Sequence, residues 1–241
     1  MQHNPEEEPA MLRARIVIVL FALVGSGAFL DRTCLAEEPV APFVETVQVH
    51  AGLPPFEVRF LPLPLPGSVD LQNQVHPVAH VEIYRRGESK PLQTLEVTGH
   101  GSPFRLQLSR FEDANFDGYT DLLLGQDGGA KWTGYEIYFY DPASGSFLQN
   151  GLSREMSESL RGNDLRFDRA TGTIELNLLV FGCQGIPMTE TFDIQGFHLR
   201  QIRQVDAVRE QDGCYEVTKS LLPDGTWKEL SRKRAPHLDE E

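Results

Sequence analysis

Positive charge is scarce in this chain. Its 241 residues carry 22 Lys and Arg against 35 Asp and Glu, a formal net charge of −13. A protein that holds nucleic acid or an anionic membrane through its general field needs the opposite balance. The one basic cluster, "SRKR" at 231–234, stands close to a polar C-terminal tail. Catalytic motifs are equally scarce. The chain has no G-x-S-x-G nucleophile turn, no H-E-x-x-H zinc pair and no phosphate-binding glycine loop opening a helix. His76 and His80 are four apart, but Pro77 between them argues against one helical face. Glu136, Glu175 and Glu190 are only three of many acids, and nothing singles out the carboxylate pair a glycosidase sets across its cleft. The expectation is a protein that is not an enzyme and does not bind nucleic acid.

Long apolar runs are missing too, with one exception. "RIVIVLFALVGSGAFL" (15–30) follows "MLRAR" and ends at "DRTCLAEEP", where Cys34 and Ala36 sit at the −3 and −1 positions of a signal peptidase site. Positive, apolar and small residues in that order describe a secretory signal over 1–36. The run is short of the about 20 residues a membrane span needs. An uncleaved signal anchor is the alternative, and the only membrane contact expected. Residues 1–10 are acidic and sit awkwardly before a signal, so Met11 is a candidate start. The implied location is the periplasm, or the membrane facing it. Cysteine is rare, with three in the chain. Cleavage after Ala36 removes Cys34 and leaves Cys183 and Cys214 in an oxidising compartment, where an even pair reads as a disulfide; two buried thiols are the bland alternative.

Residues 37–67 are rich in proline, which cannot donate to a sheet ladder, and read as a linker followed by an edge strand. Beyond them, 68–241 repeat one theme, a short alternating strand and then a turn. "VAHVEIYRR" (78–86), "LQTLEV" (92–97), "FRLQLSRF" (104–111), "YEIYFYD" (135–141), "TIELNLLVF" (173–181), "TETFDI" (189–194) and "CYEVTKSLL" (214–222) are separated by Gly, Asp and Pro. Period-two alternation with such punctuation predicts a single all-β domain of antiparallel strands, either a small propeller-like module or a sandwich. One short helix is expected in "SREMSESLRG" (153–162), with Ser153 as its cap and Gly162 as its stop.

"DANFDGYTD" (113–121) breaks the pattern. Counted from Asp113, oxygen-bearing side chains fall at positions 1, 3, 5 and 9, which are Asp113, Asn115, Asp117 and Asp121. Gly118 marks the bend, and the Tyr119 backbone carbonyl is a further candidate ligand. A hard cation wants six to eight oxygens, and a tight loop delivers alternate side chains to one centre. Position 12 is Leu124, so this is no EF-hand; the spacing resembles the calcium loops of integrin-type propeller repeats. The expected cofactor is a structural Ca²⁺, since an ion enclosed by so short a loop has little room to activate water.

The longer stretch "DANFDGYTDLLLGQDGGAKWTGYEIYFYDPASGSF" (113–147) resembles a bacterial exported family whose best-understood members are periplasmic immunity proteins of bacteria-killing type IV secretion systems. The segment "FGCQGIPMTETFDIQGFHLRQI" (181–202) is similar more loosely. The resemblance implies a rigid β-module that inhibits a lysozyme-like muramidase by placing an ordered loop in its cleft. Tyr135 is the first candidate contact, with Thr189 and Glu190 next; the bland readings are sheet packing for the tyrosine and a solvated strand face for the other two. The competing reading is a non-enzymatic envelope or cell-surface binding module.

Overall fold

The computed structural model describes residues 42–62, 78–97, 108–127, 132–178, 183 and 186–235. The predicted leader at 1–36 lies outside them, as do Phe104 and Leu106 of one predicted strand. No helix among the described residues is long and apolar enough to cross a membrane.

The described chain is mostly β, with three antiparallel sheets, one short helix and no closed barrel. Strands β1 (Phe43–Val47), β2 (Phe56–Pro62), β3 (Val78–Arg85) and β4 (Gln93–Glu96) form the first sheet. Strands β5 (Arg110–Glu112), β6 (Asp121–Asp127), β7 (Thr133–Asp141) and β8 (Ser146–Leu148) form the second. After helix α1 (Gly151–Ser159) come β9 (Asp164–Asp168), β10 (Thr173–Leu178), β11 (Met188–Gln195), β12 (His198–Glu210), β13 (Gly213–Leu221) and β14 (Trp227–Arg234) in a six-stranded third sheet. In each sheet the neighbours in space are neighbours in sequence, so each is an up-and-down meander.

The second sheet is the middle layer. Leu122, Leu124, Tyr138, Tyr140 and Phe147 pack with Phe56, Val58, Phe60, Val81 and Ile83 of the first sheet. On the other side Leu123, Ile137 and Phe139 pack with Met156 and Leu160 of the α1 segment and with Leu165, Ile174 and Leu176 of the third sheet. This double burial explains why "DLLLG" does not alternate: Asp121, Leu122, Leu123 and Leu124 are each 0% exposed. Burying each such leucine is worth about 1.5–3 kcal/mol, so β6 anchors both cores.

The proline-rich stretch supplies more than an edge. β1 lies at the rim, but β2 is interior, bonded to both β1 and β3. Its prolines fall where no ladder donor is lost: Pro54 and Pro55 precede it, and Pro62 ends it at a register shift. The first two sheets are also tied by the Gln93 amide, which donates to Phe147 O at 2.7 Å and accepts from Phe147 N at 2.9 Å.

The helix starts earlier than the sequence led us to expect. Asn150, not Ser153, is the cap: Asn150 Oδ1 accepts from Ser153 N at 2.9 Å while Ser153 Oγ accepts from Asn150 N at 2.8 Å. Ser153 is the third residue of that reciprocal box, and the turn closes at Leu160, before Gly162. The basic "SRKR" belongs to β14, at the rim of the third sheet. There Arg232 bridges Glu229 at 2.8 Å and also Glu210. Charge on an outer strand discourages pairing with another chain.

Cys183 and Cys214 form a disulfide with Cα atoms 5.8 Å apart, joining the segment before β11 to the start of β13.

Candidate functional site

Residues 113–121 connect β5 to β6 at a point where all three sheets meet. Alternating Asx turns build the loop. Asp113 Oδ2 accepts from Gly118 N at 3.1 Å, Asn115 Oδ1 from Asp117 N at 3.1 Å, and Asp117 Oδ1 from Tyr119 N at 2.8 Å. Two residues take left-handed backbone, Phe116 at φ +61° and Gly118 at φ +91°. Glycine at 118 is what the second bend requires; Phe116 is held there by its ring, 6.4 Å from Phe167 of β9.

The loop's other contacts fix it on both sides. Tyr119 lies between His50 at 4.8 Å and Tyr140 at 5.6 Å, ring centroid to centroid, and Thr120 N donates to Val49 O at 2.9 Å. Toward the third sheet, Asp113 Oδ2 is 3.7 Å from the Arg169 guanidinium. Asp121 brackets the base: Oδ2 accepts from Ala114 N at 2.9 Å and Oδ1 from Tyr140 N at 2.8 Å. Burial pushes the Asp121 carboxyl up to about 7, against the pull of those two amides, and the charges of Asp117 and Asp113 push the same way.

These residues suit a hard cation in chemistry. Every side-chain donor is oxygen, only Asp113 of the three carboxylates has a guanidinium beside it, and Asp113 Oδ1 is buried with no hydrogen-bond partner. An oxygen that accepts one N–H keeps a further lone pair for a cation. Among the described residues, however, no three His, Cys, Asp or Glu side chains are gathered tightly enough to hold a metal by themselves. A shell here would have to draw on the Asn115 side chain and the Tyr119 carbonyl as well.

The other candidate residues lie toward the third sheet. Tyr135, on β7, is half-buried against the second core; the Arg110 guanidinium sits 4.9 Å from its ring centroid, and burial raises its hydroxyl pKa. Arg110 in turn donates to Leu165 O at 2.6 Å. Two residues back on β7, Thr133 exchanges backbone bonds with Gly162 at 2.7 and 3.1 Å, and Asn163 N donates to Asn177 O at 2.7 Å. Asn177 Oδ1 accepts from Thr189 Oγ1 at 3.1 Å. Beside Thr189, Glu190 is partly buried, which holds its carboxyl above the usual range. Tyr135 and Thr189 are thus attached to one seam between the second and third sheets.

Gly162 allows that seam to close. A Cβ there would stand 2.5 Å from Asn177 O and 2.6 Å from Leu176 Cδ1. Gly162→Ala is expected to cost about 1–3 kcal/mol through overpacking, read as a lower urea midpoint with an unchanged slope.

Two features escaped the sequence reading. Phe197 is 82% exposed, on the two-residue turn between β11 and β12 where Gly196 takes φ +65°. An aromatic directly after a turn glycine was the available signal. The other is a pocket beside α1, whose walls come from residues far apart in sequence.

No protein-family model matches this chain, and no curated protein does. Among solved structures it is similar to a type IV secretion system related protein of Xanthomonas, with a TM-score of 0.50 and 16% sequence identity over 79% of this chain and 99% of that one.

Proposed function

We propose that this chain is an exported, calcium-stabilised β-module that inhibits a lysozyme-like, peptidoglycan-cleaving enzyme in the periplasm, as an immunity protein, and has no catalytic activity of its own. The likeness in fold to the Xanthomonas protein, spanning nearly all of that chain, is the observation that carries this reading. The resemblance of residues 113–147 to immunity proteins of type IV secretion systems agrees with it.

Ca²⁺ would be held by Asp113, Asn115, Asp117 and Asp121 with the Tyr119 carbonyl, and would supply positive charge where carboxylates otherwise repel. The chain's own residues do the rest. Tyr119, Phe116 and the Asp121 bracket lock the loop between three sheets. The β6 strand therefore leaves the loop from a rigid base, and β7 is paired along it, as an inhibitory anchor must be held. A muramidase cleft presents catalytic carboxylates, and the Tyr135 hydroxyl, protonated at neutral pH as phenols are, would donate to one of them. Thr189 and Glu190 would flank that contact along the seam. The net charge of −13 speeds encounter with a basic muramidase.

The test is turbidimetric lysis of peptidoglycan by a panel of muramidases, with the chain present in calcium. Stoichiometric inhibition of at least one enzyme is expected, weakened at least about tenfold by Tyr135→Ala, the effect of losing a contact of about 1.4 kcal/mol or more. Folded, calcium-loaded protein that inhibits none of the panel overturns the reading.

A further inference from the structure

A pocket of about 340 Å³ opens between β7 and the helix α1, lined by residues that include Gln126, Trp132, Glu136, Gln149, Arg154 and Arg161. Its volume lies at the small end of the about 300–1,000 Å³ of ligand sites. Three of its features leave capacity for a ligand. Trp132 is held in place: a Cβ on Gly134 would stand 2.7 Å from its six-membered ring, and the Arg161 guanidinium lies 5.4 Å from it. Glu136 is half-used. Its Oε1 accepts from the Tyr138 hydroxyl at 2.9 Å and from Gln149 Nε2 at 3.1 Å, while its Oε2 is buried with no partner at all. Buried acceptors are rarely left so in native proteins. Finally, neither the Arg154 nor the Arg161 guanidinium makes an ion pair or hydrogen bond among the described residues.

The charges identify the ligand class. Glu136 and Glu158 offset Arg154 and Arg161, so the pocket is close to neutral and selects neither a phosphate nor a cation. What it offers is one fixed aromatic surface, two planar amides, one unpaired carboxylate oxygen and two guanidinium groups without an ion pair, one of them resting over the aromatic ring. A pyranose ring matches that set. Its apolar face packs on an indole, and its adjacent hydroxyls act both as donors and as acceptors. One hydroxyl can donate to Glu136 Oε2 while its neighbour accepts from a guanidinium. The geometry points to a saccharide-binding site for one or two neutral pyranose units, with Trp132 as the stacking surface and Glu136 Oε2 as the orienting acceptor. The site goes beyond the inhibitor reading and does not depend on it, since a protein that inhibits no muramidase can still bind sugar here.

Tryptophan fluorescence tests it directly. The chain has two tryptophans, and Trp227→Phe, on the outer strand β14, leaves Trp132 as sole reporter. That variant is titrated with an N-acetylglucosamine trimer and, separately, with maltotriose. A saturable change with either sugar below about 10 mM is expected, a range that covers a site with a Kd of about 1 mM; the sugar that binds tells an N-acetylated from a plain hexose site. Glu136→Gln keeps the acceptor for Tyr138 and Gln149 but replaces the unpaired oxygen with N–H. It is expected to weaken binding by about tenfold or more in protein that stays folded, because both hydrogen bonds to Oε1 are kept. No saturable change with either sugar overturns the proposal. So does unaltered affinity in Glu136→Gln protein whose melting temperature shows that it is folded.

Discussion

Adding calcium to chelator-treated protein is expected to raise its melting temperature by about 5–10 °C. Asp117→Asn is expected to remove that rise. Ligand binding to the folded state alone adds about 2.7 kcal/mol at a hundredfold excess over Kd, and a chain of this size gains about 2–4 °C per kcal/mol. The position of the loop makes the effect global. Tyr119 ties it to the first sheet, Asp121 to β7 of the second and Phe116 to β9 of the third, so a cation there stiffens the junction of all three. Asp117→Asn is the sharper variant because its effect should be small in chelator and large in calcium. In chelator, removing one negative charge lessens the repulsion that helps raise the Asp121 carboxyl, which offsets the lost Asn115 Nδ2 bond to Asp117 Oδ2, so the variant should melt close to the parent. In calcium it loses an anionic ligand and should melt below it. Asp113→Asn is a second such variant, and still offers an oxygen to Gly118 N. A parent melting temperature that chelator leaves unchanged would sink the metal reading, and the loop would then be a stack of Asx turns.

How much of this was legible in the sequence differs by kind of interaction. Strands with one covered face announced themselves: "VAHVEIYRR" became β3 and "LQTLEV" contains β4, because alternation records burial on one side. Within the middle layer "YEIYFYD" was equally plain and lies in β7, but "DLLLG" of β6 carries no alternation to say which face is covered, because the first and third sheets cover both. The helix was found but its start was not, since Asn150 and Ser153 share the capping between them and either is a good cap residue alone. The disulfide followed from counting cysteines and assuming export, and Cys183 and Cys214 do pair. Side-chain environments set by long-range contact were out of reach. Tyr135 is recognisable as an aromatic in a strand, but its half-burial depends on Arg110, brought across from β5. The unpaired oxygen of Glu136 depends on Tyr138 and Gln149 engaging only the other one. Such partial satisfaction leaves no mark on composition or spacing.

Reduction of the Cys183–Cys214 bond is expected to lower the melting temperature by about 6–16 °C. The bond spans 31 residues, and closing a loop of that length removes about 3–4 kcal/mol of unfolded-chain entropy, converted at the same 2–4 °C per kcal/mol. The enclosed chain comprises β11 and β12, the two strands that join the core-facing half of the third sheet to its outer hairpin. On the core side Leu165, Ile174, Leu176 and Phe192 are buried in the second core. On the outer side β14 is largely exposed, with Trp227 at 40% and Leu230 at 57%. Hydrophobic burial therefore holds the inner strands at many positions, while the outer two have Val217 as their one fully buried apolar side chain and otherwise depend on ladder bonds, the Arg232 ion pairs and this crosslink. The loss should accordingly be uneven. In a Cys183→Ala/Cys214→Ala variant, hydrogen exchange should speed up most in β13 and β14 and least in β2, β3 and β6. Thiol titration of unreduced Cys34→Ala protein should find no free sulfhydryl. A reduced protein that melts where the oxidised one does would mean that the outer hairpin is held by its own side chains, and uniform acceleration across all three sheets would mean that the sheets unfold as one unit.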